Sequence, residues 1–126
     1  MKGQASVEFM FMIMSATAMT VIFSFVFSEM YQDGLKEKQV VLFKDFGESM
    51  QREFLIAAYA RQGYERKITL PEDLEGYDYS IVIDRNTMIL SGNYTISVFI
   101  IPETSGSILK GDNIIRKIND SICINC

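Results

Sequence analysis

The stretch FMFMIMSATAMTVIFSFVF, residues 9–27, decides how the rest of the chain is read. It is an unbroken uncharged run without Gly or Pro. As a helix it would be about 28 Å long, close to the hydrocarbon thickness of a bilayer. Its apolar residues go all round the helical wheel, so the helix needs lipid or protein on every side. Ser15, Ala16, Thr17 and Ala18 form a small-residue patch in its middle that would let another helix approach closely.

Immediately before this run stands a carboxylate, Glu8, preceded by Gln4-Ala-Ser-Val7. At a membrane edge such a group reaches water. Carried into an apolar environment it would cost about 2.5–3.5 kcal/mol or more, and it then needs a cation. No Lys or Arg lies between Glu8 and Lys36. A secreted, ordinarily cleaved signal fits poorly, because the run ends at Phe25-Val-Phe-Ser-Glu29 without a small-x-small site. A simple uncleaved anchor fits the apolar run but has no use for Glu8.

Beyond the run the chain becomes charged while staying helical in pattern. Leu35, Leu42, Phe43, Phe46, Met50, Phe54, Ala57 and Ala58 define one stripe, and Glu29, Asp33, Lys36, Glu37, Lys44, Glu48 and Arg52 fall largely off it. The helix is therefore expected to continue to about Arg61, with Gly34 and Gly47 as weak points that could bend it and Gln62-Gly63 as its stop. The expected division is a leader at residues 1–3, an apolar helix at 4–28, an amphipathic extension at 29–62 and an extracellular β-domain at 67–126.

From Lys67 the period changes to that of strands. Lys67–Leu70 is a short one. Tyr77–Ile83 places Tyr77, Tyr79, Ile81 and Ile83 on one face. Asp84-Arg-Asn86 turns into Thr87–Leu90, and Ser91-Gly-Asn93 turns into Tyr94–Ile101, which Pro102 ends. Glu103–Gly111 reads as a loop. Asn113–Asn119 and Ser121–Ile124 read as one or two final strands. The fold class expected is α+β: a long N-terminal helix and a small antiparallel meander.

Composition narrows the function. The chain of 126 residues has a formal net charge of -4, and its Lys and Arg are not clustered, so no nucleic-acid partner is expected. It contains no His, which removes the commonest general base and metal ligand. No catalytic residues, metal or cofactor are expected. The acidic Pro71-Glu-Asp-Leu-Glu75 lacks the alternation of a calcium loop and reads as a solvated turn. Cys123 and Cys126 end the chain and are too few for a zinc site; they are either a local disulfide or two free thiols. Two N-x-[ST] sequons, at Asn93 and Asn119, lie near turns in the part expected to be outside the cell.

The stretch Lys2-Gly3-Gln4-Ala5-Ser6-Val7-Glu8-Phe9, with the apolar run behind it, resembles the class III signal peptide of archaeal type IV pilins, whose pattern reads KGQ-x-S-x-EF. The resemblance implies a membrane-held precursor cut by a prepilin peptidase between Gly3 and Gln4. It implies assembly through the N-terminal helix, by pilus machinery, into an extracellular homopolymer that serves adhesion. Glu8 would pair with the amine of mature Gln4 on a neighbouring copy, and Asn93 and Asn119 would carry glycan. The alternatives are a minor pilin, or a non-polymerising anchored protein that displays a small β-domain for binding or sensing.

Overall fold

The computed structural model describes residues 2–126. Met1, the first residue of the expected leader, lies outside the described residues. A single helix, α1, spans Lys2–Tyr59, and seven strands follow. The chain divides into two compact units, Met1–Glu37 and Lys38–Cys126.

The first unit is helix alone. Its four mid-helix hydroxyls turn back onto their own backbone: Ser15 Oγ donates to the Met12 carbonyl at 2.9 Å and Thr17 Oγ1 to that of Ile13 at 2.7 Å. Thr20 and Ser24 donate to Ala16 and Thr20. Each polar side chain in the run is thus satisfied locally, as a helix in an apolar medium requires. Helical bonding continues unbroken through Gly34 and Gly47.

The second unit packs the rest of α1 against two sheets. The helix buries Phe43, Met50, Phe54 and Ala57, spaced 7, 4 and 3 apart, along one stripe. Strands β1 (Glu65–Leu70), β6 (Gly111–Ile118), β7 (Ser121–Ile124) and β5 (Thr104–Gly106) form a four-stranded sheet in the order β1-β6-β7-β5. Strands β2 (Tyr79–Asp84), β3 (Thr87–Gly92) and β4 (Ile96–Ile100) form a separate three-stranded meander. Met50, Phe54 and Ala57 share one core with Ile68, Leu70, Ile115, Ile122 and Ile124. Phe43 shares a second with Leu74, Tyr79 and Leu90.

The α+β layout is as expected from the sequence, but the single meander is not. Only β2-β3-β4 is one. β1 closes on β6 across about forty residues, in the register Ile68↔Asn113, and β5 runs parallel to β7. β5 arises inside the segment expected to be loop. Its Gly106 has φ +97° and sits where a Cβ would lie 2.1 Å from the Ile124 carbonyl oxygen, so only Gly permits the approach. Gly47 is likewise a seat rather than a bend: a Cβ there would lie 2.1 Å from Cε2 of Phe99. The buried stripe begins at the fully buried Gln39, whereas Leu35, expected to open it, is exposed.

The end of α1 is capped from a distant strand. No basic residue occupies its last turn. Instead Lys117 of β6 donates from Nζ to the Ala58 carbonyl and, at 2.9 Å, to that of Ala60. A cation on the orphan carbonyls of a helix C-terminus satisfies them and complements the helix dipole. Gly63, at φ +84°, then reverses the chain into β1.

Candidate functional site

The residues singled out by the sequence fall into three places. Gly3, Gln4 and Glu8 lie in the first turns of α1 and are exposed. The Gly3–Gln4 bond is within a first helical turn, whose N–H groups have no intrahelical acceptors, so it opens at little cost. Glu8 makes no ion pair among the described residues. Behind it the run is exposed throughout, with Phe11 68% and Phe25 72% accessible. Phe23 and Phe27 are the one aromatic pair along it, their ring centroids 6.4 Å apart. The helix is long and apolar enough to cross a membrane.

The sequon asparagines occupy two exposed turns. Asn93 follows β3, where the Gly92 N–H donates to the Thr95 carbonyl at 2.8 Å and closes the loop to β4. Asn119 links β6 to β7 in the left-handed region, at φ 55°, and Gln62 of the segment after α1 donates to its carbonyl. Asn and Asp tolerate that conformation better than other non-Gly residues, which accounts for the residue type at the turn without reference to glycan. Both side chains are open to solvent.

Cys123 and Cys126 are paired as a disulfide, with Cα atoms 5.9 Å apart. Cys123 is buried on β7. Between the two, Asn125 turns left-handed (φ 56°) and its amide accepts from the Ile114 N–H and donates to the carbonyl of Ser107 and Oδ1 of Asn113. Asn113 is fully buried and spends its own amide on Leu109 and Gly111. The bridge therefore holds a polar clasp between the tail and the 107–111 loop. Closing so short a loop contributes about 2 kcal/mol on chain entropy.

The acidic turn is built as a turn. Asp73 accepts the Gly76 N–H at 2.9 Å, Glu75 has φ 51°, and Lys38 of α1 pairs with Glu75 at 2.9 Å. Nearby, Lys110 lies 4.7 Å from the centroid of the Tyr79 ring and bonds Asp78. That hydrogen bond, with the lysine's charge and the Tyr79 N–H, holds the Asp78 carboxyl below its usual range. Burial, with Asp78 adding its charge, pushes the Tyr79 phenol up. These contacts order the surface and form no reactive constellation.

Two features of the second unit were not picked out from the sequence. One is the exposed face of α1 near its end, where Leu55, Ile56 and Tyr59 surround Arg52. The other is the outer face of β2-β3-β4, where Val82, Ile89 and Val98 stand in one cross-strand row and Ile96 and Ile100 flank it. The signal for the second was present as a 17-residue span, Asn86–Pro102, without a charge. Comparison with family models, with curated proteins and with solved structures returned no match.

Proposed function

We propose that this chain is a structural subunit of an archaeal type IV pilus-like filament, held in the membrane as a precursor, cut between Gly3 and Gln4, and assembled outside the cell through α1. The observation that carries the reading is the junction at Glu8. An apolar helical run with every side chain exposed begins beside a carboxylate, Glu8, that makes no ion pair among the described residues and that lies within a match to the prepilin motif. Cleavage after Gly3 creates an amine four residues from that carboxylate. A plain anchor gains nothing from either feature. In the filament the apolar helices form the core, and the second units, with exposed Asn93 and Asn119 as glycan acceptors, face outward.

The test is the N-terminus of the native protein. Mass spectrometry of the membrane and sheared fractions should find chains that begin at Gln4, or at a modified form of it. Chains that begin at Met1 throughout, or after Ser28, would remove the basis of the proposal.

A further inference from the structure

The second unit carries two exposed apolar patches, and they point in opposite directions. At 100° per residue, Arg52, Leu55, Ile56 and Tyr59 centre on the side of α1 directly opposite Met50, Phe54 and Ala57, which are buried against the sheets. On β2-β3-β4, alternation turns Met88, Leu90 and Phe99 inward toward the helix and Val82, Ile89, Ile96, Val98 and Ile100 outward. Ile96 is 71% and Ile100 77% accessible, and Tyr59 is 88% accessible. Apolar clusters of this kind are interaction surfaces more often than free ones. β4 is also a sheet edge with no charged residue to discourage contact.

The charges beside the two patches are of opposite sign. The helix patch contains Arg52, and Arg61 follows just beyond it; neither is in an ion pair among the described residues. The neighbouring acids Glu48 and Glu53 are already engaged by Lys44 and Arg66. The sheet face ends at Asp84, in register through Thr87 with Ile100, and Glu103 follows three residues after Ile100. Both acids are exposed and in no ion pair among the described residues, and with Arg85 of the adjoining turn that end keeps a net charge of about -1.

We infer that the outer β2-β3-β4 face of one copy docks on the Arg52-Leu55-Ile56-Tyr59 face of the next, with Asp84 toward Arg52. The two patches differ and lie back to back, so the contact is head-to-tail. A contact of that type propagates into an open array instead of closing into a two-fold dimer. The inference rests on the filament reading for its choice of a second copy as the occupant, and it adds a contact between outer units to the one between apolar helices.

The experiment uses the full-length chain in its native membrane. Two differently tagged copies, one with Leu55→Cys and one with Val98→Cys, are co-expressed and oxidised, with the wild-type chain and its own Cys123–Cys126 pair as control. The mixed pair should cross-link, and a single chain with both substitutions should give a ladder. Asp84→Arg should lower the mixed cross-link about tenfold, and Arg52→Asp in the same chain should restore it. Rescue by the second reversal separates a lost contact from a misfolded unit. Cross-linking of Val98→Cys with itself, no mixed product, or reversals without effect would overturn the contact. If those results come with normal filaments of Gln4-started chains, the filament reading stands alone. A ladder without filaments or cleavage removes the filament reading and keeps the contact.

Discussion

Glu8 is the residue on which most depends. Its carboxylate stands at the edge of the apolar run, and the cleavage proposed after Gly3 would create a new amine four residues before it. Buried without a partner it would cost about 2.5–3.5 kcal/mol or more, and removal of the partner of a buried charge is worse than never having the pair. Glu8→Gln should therefore leave membrane insertion and cutting after Gly3 largely intact. It should reduce subunits in the sheared filament fraction at least about tenfold relative to the processed membrane pool. Equal filament yield from the variant alone would make Glu8 a solvated helix-end residue. At the same scale, Gly47 and Gly106 show why isolated glycines were hard to read. In sequence each weakens a helix or marks a loop. In the folded unit Gly106 is the only residue that leaves room for the Ile124 carbonyl, and a side chain at Gly47 would displace the Phe99 ring.

At the scale of elements, α1 has a body that its own residues account for, and an end that they do not. Its last turn has no cation of its own, and Lys117 arrives from β6 to hold the Ala58 and Ala60 carbonyls. Loss of a charge at a partly buried helix C-terminus costs about 1–2 kcal/mol. Lys117→Met keeps the aliphatic stem and removes only the ammonium, so it should lower the unfolding midpoint of the second unit by several degrees. It should not change membrane association, which the proposed reading assigns to residues 9–27. A midpoint unchanged by thermal circular dichroism would show that water caps the helix equally well. The strands divide in the same way. β2, β3 and β4 are joined by short turns that their Asn, Gly and Arg residues announce. β1 and β5 find partners that no local pattern identifies.

For the molecule as a whole, the two units differ in what they cover: the first leaves its apolar run exposed, and the second buries two cores. Lys38–Cys126 holds both cores, all seven strands and the disulfide. Among the described residues, none of the first unit belongs to either core. A chain starting at Lys38 should therefore stay in solution without detergent and unfold cooperatively, with a midpoint within a few degrees of the intact protein's in detergent. The intact protein should partition into the detergent phase. A 38–126 fragment that unfolds non-cooperatively would mean that residues before Lys38 supply part of the fold, whereas concentration-dependent association of a cooperatively folded fragment would reflect the contact between second units.

What the sequence determined by itself was everything with a short period. The uncharged run at 9–27, the stripe expected from Leu35 to Ala58 and buried from Phe43 to Ala57, and the alternation expected over Tyr77–Ile83 and found as a strand from Tyr79 each lie within one element, where residue type and spacing act directly. The disulfide was open on the sequence, because two adjacent-turn cysteines serve either state. Only the tertiary structure decided that there are two sheets, that β5 lies parallel to β7, that Lys117 closes α1, and which apolar residues stay uncovered. Those outcomes depend on pairings between residues up to about sixty positions apart. Their free energy comes from packing and from satisfying backbone groups once the chain has closed, and no local pattern encodes it.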